Sequence, residues 1–364
     1  MRITFVLPHA GMSGGNRVLA IYASRLQRRG HAVHVVSIPQ HVPSFKRKLG
    51  SLLRGQGWPA DPEPEHSWFD GLDVPHHVLE RVRPVTDADV PDADVVLATF
   101  WRTGPWVAAL APSKGAKAIL LQGYETSGDP DPEIDAVWRL PLHKILISKW
   151  LVNLARERFG DRDVHHVPNS VDTAQFHAAP RGRQARQTVG MLYAWFHAKG
   201  TDVAVNALER VRERMADLRV LAFGAERVAP RMPLPSWIEF QYRPPQDSIR
   251  QLYAQCDVWL CASRREGFHL PPLEAMACRC PVVSTRVGGP MDIVDEGVNG
   301  FLVEVEDAAA LAERTLQLLA FDDARWQRMS DAALATALRY TWDDATALLE
   351  QALAEIAELS AVHS

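Results

Sequence analysis

Short apolar runs alternate with longer amphipathic stretches along the first half of the chain. Residues 2–7 form the first run, which ends in a loop with Gly14 and Gly15, and an amphipathic stretch at 17–29 leads to a second run at 31–37. Runs of the same kind follow at 95–99, 118–122, 144–147 and 164–167. Short buried runs separated by helical patterns are typical of βαβ units built on a parallel sheet.

The same alternation restarts after a polar stretch without periodicity at 174–187. Its apolar runs lie at 189–192, 218–222, 238–241, 258–261, 282–284 and 301–303. We therefore predict an α/β protein with two Rossmann-like domains that face each other across a cleft. The predicted limits are 1–173 for the N-terminal domain, 174–187 for the linker, 188–341 for the C-terminal domain and 342–364 for a final helix.

The composition agrees with this division and excludes several classes of protein. At about 150 residues per domain, a chain of 364 residues corresponds to two domains. The net charge of −4 lacks the basic excess of nucleic-acid-binding proteins, so we expect no nucleic-acid partner. The four cysteines are not spaced as zinc ligands, and we expect buried thiols in a reducing compartment. No apolar run approaches the ~20 residues of a membrane span, which favours a cytoplasmic protein.

The segment from 263 to 300 carries the richest candidate chemistry. Glu266 follows the apolar run at 258–261, and Pro271 and Pro272 suit the first turn of a helix that continues through Glu274. Backbone amides and the dipole at such a helix start attract phosphate. Two carboxylates repel phosphate, but they accept hydrogen bonds from sugar hydroxyls. The combination predicts a site for a nucleotide sugar.

The spacing of the two glutamates resembles the E-x7-E motif of glycosyltransferase family 4, the retaining group 1 enzymes with the GT-B fold. Other segments resemble that family in the same order along the chain: Gly14-Gly15, Pro168-Asn-Ser-Val-Asp172, Lys199-Gly200, Ser263-Arg-Arg-Glu-Gly-Phe-His-Leu-Pro, Glu274-Ala-Met-Ala, Pro281-Val-Val-Ser, Gly288-Gly289-Pro-Met-Asp292 and Gly297-Val-Asn-Gly300. The GT-B fold implies an acceptor-side N-terminal domain, a nucleotide-sugar-binding C-terminal domain, and a C-terminal helix that crosses back to the N-terminal domain.

The resemblance also assigns roles to the two glutamates. It implies that Glu266 contacts the donor sugar and that Glu274 binds the ribose hydroxyls. Backbone amides would meet the outer hydroxyls of the sugar, from Gly267, Phe268, His269 and Leu270. His269 stands where the family often has glycine, and an amide contact would survive that change. The alternatives are a solvated loop carboxylate for Glu266 and a helix-stabilising first-turn carboxylate for Glu274.

A cation is also expected beside the donor diphosphate, because the leaving group carries the charge of the reaction. Lys199 resembles the family lysine that neutralises this diphosphate, and with Glu266 it is our candidate catalytic pair. The family usually has an arginine in the preceding strand, where this chain has Met191. His197, or an arginine from elsewhere such as Arg264, is a candidate substitute. An exposed lysine at a helix start is the alternative for Lys199.

Other candidate residues lie on loops at strand ends. Gly14 and Gly15 let the backbone approach the donor phosphates, with a plain tight turn as the alternative; without a full G-x-G-x-x-G, dinucleotide binding is disfavoured. Gln122 lies near the position of a family histidine, and Gln122 or Glu125 would contact donor or acceptor hydroxyls. Arg243 lies where the family contacts the nucleobase, with a surface arginine as the alternative.

The sequence predicts no metal site and no cofactor besides the nucleotide sugar. Three D-x-D patterns do not converge on the strand ends, so we interpret them as loop carboxylates. They are Asp87/Asp89, Asp92/Asp94 and Asp129/Asp131.

The resemblance therefore implies a metal-independent, retaining hexosyl or deoxyhexosyl transferase. It would move sugar from a nucleotide diphosphate sugar to a saccharide, a lipid-linked acceptor or another hydroxyl, with polysaccharide or glycoconjugate assembly as the expected setting. Two alternatives stay open: a nucleotide-sugar epimerase of the same two-domain plan, and a non-catalytic nucleotide-sugar-binding protein. Residues 45–58 combine basic and apolar side chains, which predicts contact with an anionic membrane surface or an anionic acceptor; a solvated basic loop is the alternative.

Overall fold

The computed structural model describes residues 1–40, 49–52, 66–124 and 131–362. The chain divides into two compact units. The first comprises Met1–Leu146, Leu154–Val167 and Thr346–Ser364, and the second comprises Ile147–Asn153 and Pro168–Ala345. The C-terminal helix thus groups with the first unit from Thr346 onward.

The first unit is built on a parallel sheet. Within its described residues the strand order is β3-β2-β1-β4-β5-β6-β7, and every neighbouring pair is parallel. The strands are β1 Arg2–His9, β2 Ala32–Ile38, β3 His76–Val78, β4 Val95–Ala98, β5 Ala116–Leu121, β6 His143–Leu146 and β7 Val164–His166. The sequence pattern missed β3, because a three-residue edge strand is too short to show a period.

Helices connect these strands, and the first of them shows how the sequence specifies them. The helices are α1 Gly14–Arg28, α2 Gly104–Ala108, α3 Pro132–Trp138, α4 Lys149–Phe159 and the C-terminal α11 Trp342–Val362. The start of α4, up to Asn153 and including Trp150, groups with the second unit, and so does the start of α11, up to Ala345. Ser13 caps α1 by accepting a hydrogen bond from the Asn16 amide at 3.2 Å. The face of α1 that includes Leu19, Tyr22 and Leu26 is fully buried, which holds the helix on the sheet.

The second unit repeats this plan, and all of its residues are described. Its parallel sheet has the order β10-β9-β8-β11-β12-β13. The strands are β8 Thr188–Leu192, β9 Arg219–Gly224, β10 Ile238–Tyr242, β11 Val258–Cys261, β12 Val282–Thr285 and β13 Gly300–Val303. The helices are α5 Thr201–Arg214, α6 Ile249–Ala254, α7 Leu270–Ala277, α8 Pro290–Ile293, α9 Ala308–Leu319 and α10 Asp323–Leu338.

Both sheets have a point where the strand order reverses. In the first unit β1 lies between β2 and β4, and in the second β8 lies between β9 and β11. The central strands are buried on both faces, as expected for a parallel sheet between helices. The prediction of two Rossmann-like domains is therefore confirmed, and ligands of such sheets bind outside the carboxyl ends of the strands at this reversal.

Two smaller expectations concern the cysteines and membrane spans. Cys256, Cys261, Cys278 and Cys280 are all buried and unbridged. Within the ranges that the structure describes, none of the helices combines the length and apolar character that a bilayer span requires.

Candidate active site

The candidate site of the second unit forms where its strand order reverses. Strands β8 and β11 are neighbours in the sheet, so the β8–α5 turn and the β11–α7 loop emerge side by side. Lys199 lies on the turn, as the last residue of a 3₁₀ segment, and Glu266 lies on the loop. The two candidate catalytic residues are therefore brought together by the topology of the sheet.

Gly200 explains how closely the turn approaches β11. Its backbone has a φ of 62°, and a Cβ atom built on it would lie 1.9 Å from the carbonyl oxygen of Ala262. A residue with a side chain would meet backbone there and would also pay for the left-handed conformation. The Lys-Gly pair of the motif thus allows Lys199 to lie against the end of β11.

Glu266 is held by a cation and a hydroxyl. The Lys199 ammonium donates to both carboxylate oxygens, at 2.8 and 2.9 Å, and the Ser263 hydroxyl donates to Oε1 at 2.7 Å. The Glu266 side chain is 9% exposed, whereas that of Lys199 is 34% exposed. The carboxylate is therefore buried and oriented, while the ammonium stays within reach of an anionic ligand.

His269 completes this cluster, which we call the carboxylate cluster (Lys199, Ser263, Glu266 and His269). Its Nδ1 lies 3.1 Å from Glu266 Oε1, but among the described atoms it makes no well-directed hydrogen bond. Burial lowers the pKa of His269 to about 4, although the charge of Glu266 opposes this shift. The imidazole is therefore neutral at neutral pH.

The pKa of Glu266 reflects two opposing influences. Burial by itself raises it, but neighbouring positive charge and hydrogen bonds outweigh burial, so the pKa lies below its usual value. The lowering comes first from the charge that His269 carries when protonated, and then from the Lys199 ammonium and the hydrogen bond of the Ser263 hydroxyl. Glu266 is ionised under physiological conditions.

The loop that carries Glu266 is fixed from two sides. The Gly289 amide donates to the Phe268 carbonyl at 2.7 Å, and a Cβ at Gly289 would lie 2.1 Å from that oxygen. From the other side the Trp150 indole N–H donates to the Gly267 carbonyl at 2.9 Å. The glycine pair of the motif is thus required by close backbone contact.

Helix α7 begins immediately after this loop. His269 is its N-cap residue, with a φ of 69° and a ψ of 81°, a conformation that glycine adopts more readily. Pro271 and Pro272 lie in the first turn and carry no N–H, so the amides offered at this end belong to residues 267–270.

Glu274 is the fifth residue of α7 and lies in different surroundings from Glu266. It is 8% exposed, and the hydroxyl of the fully buried Tyr253 donates to its Oε2 at 2.8 Å. Burial raises the pKa of Tyr253 well above its usual value, and the charge of Glu274 adds to the shift. The phenol therefore remains a hydrogen-bond donor.

Three positions bear on the missing arginine beside the diphosphate, and they differ in burial and in their charged partners. Met191 is 1% exposed and belongs to the hydrophobic core, so this position faces away from any charged ligand. Arg264 donates to both carboxylate oxygens of Asp202, and also pairs with Glu306 and with the His197 carbonyl. Its guanidinium is thus engaged by two carboxylates, while His197 itself is exposed on the 3₁₀ segment.

Arg243 lies at the carboxyl end of β10, at the same edge of the sheet. Its amide donates to the Gly224 carbonyl at 2.8 Å, and its Nε donates to the Ala225 carbonyl at 2.8 Å. Its φ of 45° is in the left-handed region. The structure brings this side chain to the loop after β9.

The candidate residues of the first unit lie at the reversal point of its own sheet. Gly14 and Gly15 are the first two residues of α1. The Gln122 side-chain amide donates to the Gly15 carbonyl at 3.3 Å. Gly15 and Gln122 are thus brought together, whereas Glu125 lies outside the described residues.

The D-x-D carboxylates have other partners. In 1–40, 49–52, 66–124 and 131–362, no group of three or more His, Cys, Asp or Glu side chains could hold a metal ion. Asp131 caps α3, and Asp129 lies outside the described residues. The ion-pair partners are Arg83 for Asp89, Arg2 for Asp94 and Lys114 for Asp92.

Comparison with known proteins identifies the family. Residues 187–320, which include Lys199, Glu266 and Glu274, match the family model "Glycosyl transferases group 1". A D-inositol 3-phosphate glycosyltransferase of Acidothermus cellulolyticus is 34% identical over 406 residues, with 93% of this chain and 85% of the relative covered. The chain belongs to the glycosyl transferases group 1 family. The prediction of a nucleotide-sugar glycosyltransferase is confirmed, and the epimerase alternative is not favoured.

Other matches of this group 1 glycosyltransferase cover different shares of the chain. A D-inositol 3-phosphate glycosyltransferase of Corynebacterium urealyticum is 32% identical over 172 residues; the match covers 43% of this chain and spans 40% of that relative. The structure of HepE from Anabaena, in complex with UDP and glucose, matches with a TM-score of 0.72 at 18% identity, covering 98% and 100% of the two chains. This likeness concerns the fold and confirms the two parallel-sheet domains of the predicted GT-B fold.

Sequence reasoning did not assign three residues of the glycosyltransferase's candidate site. Ser263 begins the segment that resembles the family around Glu266, and its position three residues before Glu266 is the sequence signal for it. The sequence carries no such signal for Tyr253 and Trp150. Tyr253 lies 21 positions from its partner Glu274, and Trp150 lies 117 positions from its partner Gly267, each on a different helix.

Proposed function

We propose that this glycosyltransferase moves a hexosyl or deoxyhexosyl group from a nucleoside diphosphate sugar to a hydroxyl of a saccharide or lipid-linked acceptor, with retention and without a metal ion, as expected for glycosyltransferase family 4. The carboxylate cluster at the reversal point of the second sheet is the observation that carries the proposal. It combines a reachable ammonium with a buried, oriented carboxylate.

The reaction requires charge stabilisation at the leaving group. The bond between the anomeric carbon and the diphosphate oxygen breaks, and the acceptor oxygen forms a bond to the same carbon. The acceptor proton passes to the departing phosphate oxygen on the same face of the sugar, which accounts for retention. We assign neutralisation of the diphosphate to Lys199, with the dipole of α7 adding a smaller contribution.

Glu266 has a different assignment in this proposal. Its carboxylate is ionised and buried, so it would accept a hydrogen bond from the donor sugar and stabilise positive charge that develops on the ring. The amides of residues 267–270 would bind the outer hydroxyls of the sugar. The contact of Gly289 with Phe268 and that of Trp150 with Gly267 support a loop held ready for this purpose.

We assign the nucleotide to the neighbouring residues. Glu274 would accept hydrogen bonds from the ribose hydroxyls, and Arg243 would lie near the base. That HepE was solved with UDP and glucose supports a uridine nucleotide as the first donor to test. Contact with the donor or acceptor stays a prediction for Gly14, Gly15 and Gln122. Contact with an anionic membrane or an anionic acceptor stays a prediction for residues 45–58, of which the structure describes 49–52.

One experiment tests the reaction. The purified protein is incubated with a panel of nucleoside diphosphate sugars in EDTA, and slow donor hydrolysis is followed before acceptors are added. We expect turnover in EDTA, and NMR of the product should show the anomeric configuration of the donor. A rate that EDTA abolishes and magnesium restores, or an inverted product, would contradict the proposal. Tight binding without turnover of any donor would favour the non-catalytic alternative.

A further inference from the structure

Tyr253 lies behind Glu274 in the second unit. It belongs to α6, is fully buried, and donates a 2.8 Å hydrogen bond from its phenol to Glu274 Oε2. Because no part of the ring reaches the surface, Tyr253 cannot touch a nucleotide. Its hydroxyl can influence a ligand only indirectly, and its hydrogen-bond partner is the carboxylate of Glu274.

Three aromatic rings fix the phenol in place. The ring centroids of Trp259, Phe223 and Phe176 lie 4.6, 5.7 and 6.0 Å from that of Tyr253, all in edge-to-face arrangements. Such pairs are geometrically specific and contribute beyond the apolar area that they bury. The hydroxyl therefore points at Glu274 from a rigid support. Since the pKa of Tyr253 is raised, this hydroxyl keeps its proton at neutral pH.

We propose that Tyr253 is a positioning residue for nucleotide recognition: its hydroxyl fixes the orientation in which Glu274 accepts hydrogen bonds from the two ribose hydroxyls. This inference rests on the proposed role of Glu274. A carboxylate has about four lone-pair positions, and the phenol uses one of them on Oε2. The terminal torsion of a glutamate side chain is broad, so a donor fixed on Oε2 helps to decide which of the remaining positions face the ribose.

The proposal predicts a change in selectivity between ribose and deoxyribose. Tyr253→Phe removes one oxygen and leaves the ring packing in place. We expect the affinity for uridine diphosphate to fall about five- to twentyfold, which is less than the roughly tenfold to 150-fold of a whole hydrogen bond to a charged group, because Glu274 keeps its carboxylate. The affinity for the 2′,3′-dideoxy analogue should stay within about twofold, because it offers no hydroxyl to Glu274. Calorimetric titration with both nucleotides measures the ratio of the two affinities, which is the ribose preference.

Tyr193→Phe is the matched control. Tyr193 is 1% exposed, and its hydroxyl donates to the Met232 carbonyl at 2.9 Å and accepts from the Ala229 amide at 2.8 Å. Its loss removes hydrogen bonds at similar burial without involving Glu274. We expect the ribose preference of this variant to match that of the unmodified protein, even where its thermal stability falls.

The background variant Glu274→Ala separates the two proposals, because it removes every acceptor of this side chain. It should lose the ribose preference by itself, and adding Tyr253→Phe to it should change the preference no further. If Glu274→Ala keeps the preference, the proposed role of Glu274 is wrong. If Glu274→Ala loses the preference but Tyr253→Phe keeps it, Tyr253 is only structural and the inference is wrong. If Tyr253→Phe does not fold, Tyr253→Met takes its place, since methionine adapts to irregular core space; a ribose preference equal to that of the unmodified protein would again overturn the inference.

Discussion

The first β–α turns of the two units occupy equivalent places in their sheets but are built differently. In the first unit, Gly14 and Gly15 begin α1 under the Ser13 cap. A Cβ at Gly14 would have no neighbour within 4 Å in the described part of the chain, and one at Gly15 would meet the Gln122 amide at 3.3 Å. In the second unit, a Cβ at Gly200 would lie 1.9 Å from a backbone oxygen.

The chemistry of the two turns differs in the same way. The turn of the first unit is contacted by a neutral amide from Gln122, whereas the turn of the second carries Lys199, paired with the buried carboxylate of Glu266. One Rossmann-like plan thus gives an open, neutral helix start in one unit and a packed, charged turn in the other. The second arrangement suits a charged leaving group, because its cation is held in place before the ligand binds.

The largest expected effect follows from the packing of Gly200. Gly200→Ala places a methyl group against the Ala262 carbonyl and forces a positive φ on alanine, so we expect the free energy of unfolding to fall by more than about 3 kcal/mol. Urea unfolding measures this value. Gly14→Ala is the control in the other turn and should change stability by about 1 kcal/mol or less. Equal effects at the two glycines would remove the contrast between the turns.

The next expected effect concerns the charge of the second turn. Glu266→Gln keeps the shape of the side chain but removes the charge that would stabilise the sugar ring, so turnover should fall by about a hundredfold or more. The affinity for the nucleoside diphosphate should change little, since the product lacks the transferred sugar. Steady-state rates and calorimetry measure both. A Glu266→Gln variant that loses nucleotide affinity and keeps its rate would reverse the assignment.

Glu274 sharpens the comparison within the second unit. Glu274→Ala should weaken the binding of the nucleoside diphosphate by about 1–3 kcal/mol, the range for a lost hydrogen bond to a charged group. Because the ribose is bound alike in donor and product, this loss is a uniform binding effect. Calorimetry measures it. Gln122→Ala in the first unit, where the amide contacts only a backbone carbonyl among the described residues, should have a smaller effect on nucleotide affinity.

The sequence predicted those parts of the molecule that depend on local pattern. Short apolar runs predicted every strand except β3. A buried parallel strand is a continuous apolar run, so it can be recognised from its own residues alone. The motif located Glu274 one turn inside α7, where the structure has it. The proline pair marked the first turn of α7, where the structure has it.

The rest depended on contacts between distant parts of the chain. Tyr253 reaches Glu274 from a helix of six residues, and Trp150 reaches Gly267 from α4; no spacing rule connects either pair. The engagement of Arg264 by two carboxylates was equally invisible, because its partners Asp202 and Glu306 lie on other elements. Side-chain orientation within a site is decided by such long-range contacts, which a local pattern does not contain.

The acid side of the stability profile should report the burial of His269. Its pKa is about 4 in the folded protein and ordinarily 6.5, so folding favours the neutral form. The contribution of the neutral imidazole to the free energy of unfolding is fully present above about pH 6.5 and is lost as the pH falls towards 4. The free energy of unfolding then falls by at most about 1.4 kcal/mol per pH unit. Glu266, whose pKa is lowered from its ordinary 4.5, loses its contribution in the same direction as the pH falls below that value.

His269→Gly isolates this contribution. Glycine removes the titrating ring and suits the positive φ, so the unfolding free energy should fall less steeply between pH 6.5 and 4 than in the unmodified protein. Urea unfolding at several pH values measures the slope. His66→Ala is the control, since the His66 side chain is 92% exposed. An unchanged slope in His269→Gly would mean that the imidazole is not buried beside Glu266.

The smallest expected effect tests whether the loop of the second unit is held ready by Trp150. Trp150→Phe removes the indole N–H that binds the Gly267 carbonyl while keeping an aromatic ring, and one neutral hydrogen bond is worth about 0.5–1.5 kcal/mol. We expect turnover to fall about two- to tenfold, because the amides after Glu266 lose part of their fixed position. Trp237→Phe is the control, since Trp237 is also half-buried but packs under Arg212 instead. Steady-state kinetics with a saturating donor distinguish a loop effect on turnover from lost binding. If both variants keep the full rate, the loop is positioned by the contact between Gly289 and Phe268 without help from Trp150.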